Sequence, residues 1–298
     1  MRKSLALQAE WGPVFDVTLD NEDGAPVGGE VEHAHLIAEL LASSDNRWGR
    51  VGVRLLDATH DRFEDVARAV LRAARRPAYL MIPKPQGLAD VDHAAAVIDR
   101  LGGADVPLHA LVETHGALRE VFELASHPRI ESLSFGLMDF VSAHRGAIPQ
   151  SAMGVVGQFT HPLVVRAKLE ISAACLAHGK VPSHSVVTEF RNLQALGEAA
   201  GRARMELGYT RMWSIHPDQI RPIVHAFAPT AGEIEQAVDI LMAAEAADWA
   251  PVRHRDTLHD RASYRYFWQL LQRAQATEAG AGCLPPEVRR RWFDGARA

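Results

Sequence analysis

Cysteine is scarce in this 298-residue chain, with only Cys175 and Cys283 present. They form no paired metal-binding spacing. That argues against a disulfide framework or a structural zinc site and makes a reducing cytoplasm the expected location. Long apolar runs are missing as well. No stretch approaches the about 18 uninterrupted apolar residues of a membrane span, and the opening MRKSLALQAEW reaches Gln8 and Glu10 too soon for a signal peptide. Positive charge is not in excess either. A formal net charge of −5, with no Lys/Arg run and no basic aromatic stripe, argues against a nucleic-acid partner. There is no internal repeat and no low-complexity segment. What remains is 47% hydrophobic and 23% charged, the composition of an ordinary globular protein with material for one large core or two modest ones.

Short apolar or β-branched runs alternate with stretches of helical period. The candidate strands are VFDVTL (14–19), RVGVRLL (50–56), AYLMIP (78–83), LHALVE (108–113), ESLSFG (131–136), KVPSHSV (180–186) and RMWSIH (211–216). Between them, Phe63, Val66, Ala67, Val70 and Leu71 share one helix face, and Leu118, Val121, Phe122 and Ala125 repeat the pattern. Such alternation implies parallel strands with helical crossovers, and near-continuous apolar strands imply that both sheet faces are covered. A (β/α)8 TIM-type barrel is the leading architecture, with a doubly wound open sheet as the alternative. The first strand is apparently missing, because RKSLALQAE ahead of the first candidate reads as a helix. Either the start codon lies inside the natural first helix or the barrel closes some other way. The expected division is a barrel over residues 1–229 and a C-terminal helical lid over 230–298. In that tail PTAGEIEQAVDILMAAEAADW reads as a helix, APVRHRDTLHDRAS as irregular and YRYFWQLLQRAQA as a final amphipathic helix.

In parallel barrels and open sheets, chemistry collects at the carboxyl ends of the strands. Here those ends carry Asp20, Glu22 and Asp23, then Arg54, Lys84, Glu113, Asp139, His184 and His216. Any one charged residue past a strand is ordinarily a solvated loop residue; a series of strands ending this way is harder to explain so. LVETHGALREVFELASHPRIESLSFGLMDF ends two successive apolar strands in acids, Glu113 and Asp139. Two carboxylates without a cysteine or an obvious histidine as third ligand suit a hard cation, and Mg2+ commonly takes one or two carboxylates plus waters and substrate oxygens. Arg54 on the same rim could grip a small acid's carboxylate bidentately.

These residues carry a resemblance. VTLDNEDGA, VGVRLL, MIPKPQ, LVETHGAL, LSFGLMDF and MWSIHPDQI…AFAPTAGEIEQA occur in the order seen in the citrate lyase beta-subunit-like and malyl-CoA lyase family of the HpcH/HpaI aldolase superfamily. The resemblance spans about residues 14–245 and extends weakly into the tail. It implies a (β/α)8 barrel and a Mg2+-dependent lyase. The enzyme would cleave or form a β-hydroxyacyl-CoA such as malyl-, citramalyl- or citryl-CoA, through an enolate, with an acyl-CoA and a 2-oxo acid as the other partners. By the resemblance, Glu113 and Asp139 are the metal ligands and Arg54 binds substrate and stabilises enolate charge. The backbone at Gly136, Leu137 and Met138 receives the substrate carboxylate. Glu22 and Asp23 form the acidic pair that orients Arg54, and Lys84 holds the matching Pro-Lys position. TLHDRASYRYFW resembles the family's lid segment, which makes Asp260 a candidate for proton traffic at the acyl end.

There are departures. The family's opening strand ending in Val-Pro-Gly, followed by Arg and Lys, is absent. In CoA-dependent members that segment helps hold CoA and supplies the first strand. Asn21 replaces a common Leu and VPSHSV replaces a frequent Ile-Asp stretch. A CoA-independent oxo-acid aldolase and a non-catalytic assembly subunit therefore stand as alternatives.

Other histidines are read as structural. His33 and His35 mimic a zinc-hydrolase pair, but two residues on a helix diverge by about 200°. His161 and His184 read as loop or rim residues, and His216 as packing at the last strand end. Tyr264, Tyr266, Phe267 and Trp268 suggest a docking face for a neighbouring subunit or the barrel, and hence a homo-oligomer.

Overall fold

The computed structural model describes residues 1–189, 191–276 and 282–294. The chain divides into two compact units, Met1–Ala226 and Phe227–Ala298. Residues 277–281 and 295–298 of the expected C-terminal extension lie outside the described residues.

The first unit opens with helix α1 (Arg2–Trp11) and continues as β1 (Val17–Asp20), α2 (Glu30–Ala42), β2 (Val51–Arg54), α3 (Phe63–Leu71), β3 (Leu80–Ile82), α4 (Leu88–Arg100) and β4 (Leu108–Val112). Short helices α5 (His115–Arg119) and α6 (Val121–Ser126) lead to β5 (Ile130–Phe135). Next come α7 (Leu137–Ser142), α8 (Pro162–Ala177), β6 (Val181–His184), α9 (Leu193–Leu207), β7 (Arg211–Met212) and α10 (Pro217–Phe227). The seven strands are parallel and lie in sequence order, β1 to β7. A doubly wound sheet would reverse its order at a switch point. Strict sequential order with helical crossovers is the barrel topology, one strand short.

Each strand is where the apolar runs place it, trimmed by a residue or more at most ends. β2, β3 and β4 are buried throughout, as strands covered on both faces must be. Gly52 is required in β2, because a Cβ there would come within 2.3 Å of the Tyr79 ring. That ring stacks on His109 at 3.9 Å between centroids.

The helix expected through 118–125 is instead two, broken at Glu120, and Phe122 is exposed while Leu118, Val121 and Ala125 are buried. The break turns the Glu120 carboxylate to accept the Leu88 N–H at 2.9 Å, at the start of α4.

The second unit holds α11 (Ala231–Ala246), a hairpin of β8 (Val252–His254) and β9 (Thr257–His259), and α12 (Arg261–Ala276). Thr230 and Glu233 form a reciprocal capping box at the start of α11. The stretch expected to be irregular is thus an antiparallel hairpin. Its two-residue turn places Arg255 and Asp256 both at positive φ, the primed-turn geometry, without the Asn-Gly pair that usually signals it. Tyr264 and Phe267 are buried in this unit's own core with Ile234, Leu241 and Leu271, so they do not form an open docking face. Tyr266 is exposed, and Trp268 stacks on Phe293. No helix among the described residues is long and apolar enough to cross a membrane.

Candidate active site

Parallel register builds the site's cationic half. β1 and β2 end in step, with Asp20 opposite Arg54. The Arg54 Nε and NH2 groups each donate at 2.7 Å to one oxygen of the Asp20 carboxylate. Its NH1 is ion-paired with Glu22 Oε2 at 2.7 Å, and NH2 reaches Asp23 Oδ2 at 3.4 Å. Burial opposes the charge of Arg54, which is only 9% exposed, yet the three carboxylates hold its pKa above the ordinary arginine value. Asp20 is likewise held below the usual carboxylate range by Arg54, against the opposing effect of burial. The fork of Nε and NH2 is therefore already closed by Asp20. NH1, ion-paired with Glu22 but carrying two N–H groups, has one of them to offer a ligand, which suits a single oxygen better than the bidentate grip expected of Arg54.

Lys84 links this half to the next. It follows β3 in a left-handed backbone conformation, φ 50°. There its N–H donates to Glu113 Oε1 at 2.9 Å, while its ammonium donates to Glu22 Oε1 and lies 3.6 Å from Asp23. Glu22 thus sits between two cations, although burial pushes its own pKa upward.

Glu113 directly follows β4 and is 2% exposed. Burial first, and then the nearby Asp139 charge, push its carboxyl up to about 8. Asp139 lies in the first turn of α7, immediately after β5. Gly136 makes the approach possible, since a Cβ there would come within 2.1 Å of Glu113 Oε2. Glu113 is thus buried beside a second acid, and both effects disfavour its charged form. Among the described residues no group of three His, Cys, Asp or Glu side chains is arranged to hold a metal. An all-oxygen pair still fits Mg2+, which keeps waters and takes substrate oxygens as its remaining ligands. The first-turn N–H groups of a helix have no intrahelical acceptor, and here they belong to Leu137, Met138 and Asp139.

Arg54, Glu22, Asp23, Lys84, Glu113 and Asp139 are therefore joined by contacts or direct electrostatic coupling. Asp260 lies in the second unit, where Oδ1 accepts the Ala262 N–H at 3.0 Å at the start of α12. His184 is not on the rim. It is fully buried, stacked on Phe159, with Nδ1 3.0 Å from the Ser185 carbonyl oxygen. Burial lowers its pKa well below the usual value. His33 is tied to the Asp20 carbonyl at 3.0 Å, and His216 accepts the Asp218 N–H at 3.2 Å, both structural uses. Sequence reasoning assigned no role to two neighbours of Arg54. Asp20 was visible as the last residue of a strand beside a strand ending in Arg54. Trp213, whose ring centroid lies 5.5 Å from the guanidinium, gave no local signal.

No family model matches the chain. The crystal structure of a citrate lyase from Burkholderia xenovorans LB400 is 58% identical and superposes with a TM-score of 0.86, over 95% of this chain and 92% of that one. An L-malyl-CoA/beta-methylmalyl-CoA lyase of Cereibacter sphaeroides is 28% identical over 253 residues, 78% of this chain and 77% of the relative. The CitE protein of Mycobacterium tuberculosis, crystallised with magnesium, acetoacetate and coenzyme A, shares the fold at 20% identity and a TM-score of 0.71, over 91% of this chain and 93% of that one.

Proposed function

Since the chain belongs to the citrate lyase beta-subunit-like and malyl-CoA lyase family of carbon–carbon lyases, we propose that it cleaves or forms a β-hydroxyacyl-CoA in a Mg2+-dependent reaction. The products of cleavage are an acyl-CoA and a 2-oxo acid. The observation that carries this reading is one rim with two charge environments. Arg54 sits clamped among acids, and Lys84 ties it to a buried carboxylate crowded by Asp139.

In cleavage the β-hydroxyl loses its proton and its C–O bond becomes the carbonyl of the oxo acid. The electron pair of the Cα–Cβ bond moves onto the thioester carbonyl, and the resulting enolate takes a proton at Cα. Arg54 NH1 is the group for that carbonyl oxygen. Asp20, Glu22 and Asp23 fix the guanidinium beforehand, so little reorganisation is needed as charge grows. The first-turn N–H groups at Leu137 and Met138, with Gly136 leaving room, receive the carboxylate of the oxo-acid part. Glu113 and Asp139 would hold Mg2+, which when bound supplies Lewis-acid polarisation of the oxo-acid oxygens. Lys84 keeps Glu113 and Glu22 in place, and Asp260 is the proposed carrier of the proton at the acyl end.

The test is turnover of malyl-, citramalyl- and citryl-CoA with and without Mg2+, trapping the oxo acid as its phenylhydrazone. Oxo acid appearing in step with acyl-CoA, and only with the metal, is the expected result. Failure on all three, alongside aldol cleavage of a free hydroxy-oxo acid, would place the activity with CoA-independent aldolases instead.

A further inference from the structure

The Ile215-His216-Pro217-Asp218-Gln219 run follows the shortest strand of the sheet, and the site as described makes no use of it. β7 is two residues long, and its pairing with β6 ends at His184 opposite Met212. A side chain just beyond so short a strand has little ladder to hold it. Here the chain is held by other means. The Trp213 N–H donates to the His184 carbonyl at 3.0 Å. Gln219, fully buried, accepts the Ile215 N–H at 3.0 Å and donates from Nε2 to the Val187 carbonyl at 2.8 Å, while its own N–H donates to the His216 carbonyl at 3.0 Å. Ser214 Oγ donates to the same His216 oxygen at 2.8 Å. The run is a buckle that fixes the end of β7.

What the buckle presents is Trp213, half-buried, with its ring centroid 5.5 Å from the Arg54 guanidinium carbon. The carboxylates of Asp20, Glu22 and Asp23 bond Arg54 through its donor N–H groups, which lie in the guanidinium plane. An aromatic face restrains motion out of that plane. The contact also reaches across the gap between the sheet's two edges, β7 and β1, from just beyond β7 to Arg54 at the end of β2, beside β1. Arg211 of β7, ion-paired with Asp16 just before β1, joins the same edges at the other end of the strands. Side chains thus span a seam that an eighth strand would close in a complete barrel.

We propose that Trp213 is a positioning residue for Arg54, held by the Gln219 buckle so that its indole covers the guanidinium and keeps NH1 aimed at the reacting oxygen. The proposal rests on the lyase reading given above. It predicts an effect on turnover rather than on ground-state binding, since the thioester carbonyl gains its charge only as the bond breaks.

The test is steady-state kinetics of W213A, W213F and Q219L, joined to a fluorescence measurement that needs no substrate. W213A should lower kcat about 10-fold with KM for the acyl-CoA substrate unchanged within about twofold. W213F should recover to within about 3-fold of wild type, and Q219L should fall between them. The emission of Trp213, taken as wild type minus W213F, should change when Arg54 is replaced in both proteins by R54M. Undiminished kcat in W213A, a rise in KM alone, or a difference spectrum indifferent to R54M each overturns the proposal. If wild type is idle on every thioester, the lyase reading fails alone, and the difference spectrum still decides whether Trp213 holds Arg54. If W213A does not fold, W213F and the spectrum decide it.

Discussion

Replacing Glu113 with Gln should stabilise the metal-free protein while abolishing its activity. The side chain is 2% exposed and its carboxyl is pushed from 4.5 up to about 8 by burial and by Asp139. Between those values the folded state keeps a proton that the unfolded chain has lost. Stability therefore falls as pH rises through that window. Integrated over the two pKa values, the penalty is about 2 kcal/mol at pH 6, about 3 at pH 7 and about 4 at pH 8. Glutamine is uncharged in both states and can still accept the Lys84 N–H, so it escapes the penalty. Magnesium narrows the gap: bound at 100 times its Kd it returns about 2.7 kcal/mol to wild type and nothing to the variant, enough to reverse the order at pH 6 but not at pH 8. Urea unfolding at pH 6 and pH 8, with and without Mg2+, reads all of this. The expected result is a metal-free gap in favour of E113Q that widens by about 2 kcal/mol between the two pH values. A gap that does not change with pH would refute the burial argument. An active E113Q would remove Glu113 from the metal site.

Arg54→Ala should cost at least about 100-fold in kcat/KM, the scale of losing an oxyanion donor; a negligible change in steady-state kinetics would reject that role. Asp20→Asn opens the fork that holds Arg54 and should lower kcat by about 10-fold with the fold intact, checked by kinetics beside circular dichroism. Gly136→Ala forces a methyl against Glu113 Oε2 and should abolish Mg2+ binding measured by calorimetry, with a loss of about 1–3 kcal/mol in stability. Lys168 is fully buried, with its amine donating to Gln158 Oε1 at 2.8 Å and its pKa lowered well below 10.5 by burial. The unfolded chain then binds the extra proton, so stability rises with pH up to about 10.5. Lys168→Met should therefore be neutral to stabilising by about 1–3 kcal/mol at pH 7, with the gain shrinking as pH rises in thermal melts.

The strand–helix alternation, the parallel order and the missing strand were all legible in the chain. Near-continuous apolar runs such as LHALV, bounded by helical stretches, fit a strand covered on both faces. For the same reason the acids Glu113 and Asp139 stood out, since an apolar run that stops at a charge marks a strand end. Local pattern could not reveal the hairpin at 252–259, because its turn is carried by Arg255 and Asp256 instead of glycine. It also placed His184 on a rim, although the ring lies in the packed layer with Phe159 and Tyr209.

By itself the sequence determined where the strands lie to within a few residues and which ionisable residues follow their apolar runs, because hydrophobic periodicity acts over a few neighbouring positions. Only the tertiary structure decided what those residues do to one another. Strand register set Asp20 against Arg54, burial beside Asp139 raised the Glu113 pKa, and a two-residue edge strand brought Trp213 over a guanidinium far away in sequence. Each of these depends on distance and solvent exclusion between segments that are remote along the chain, and no local pattern encodes them.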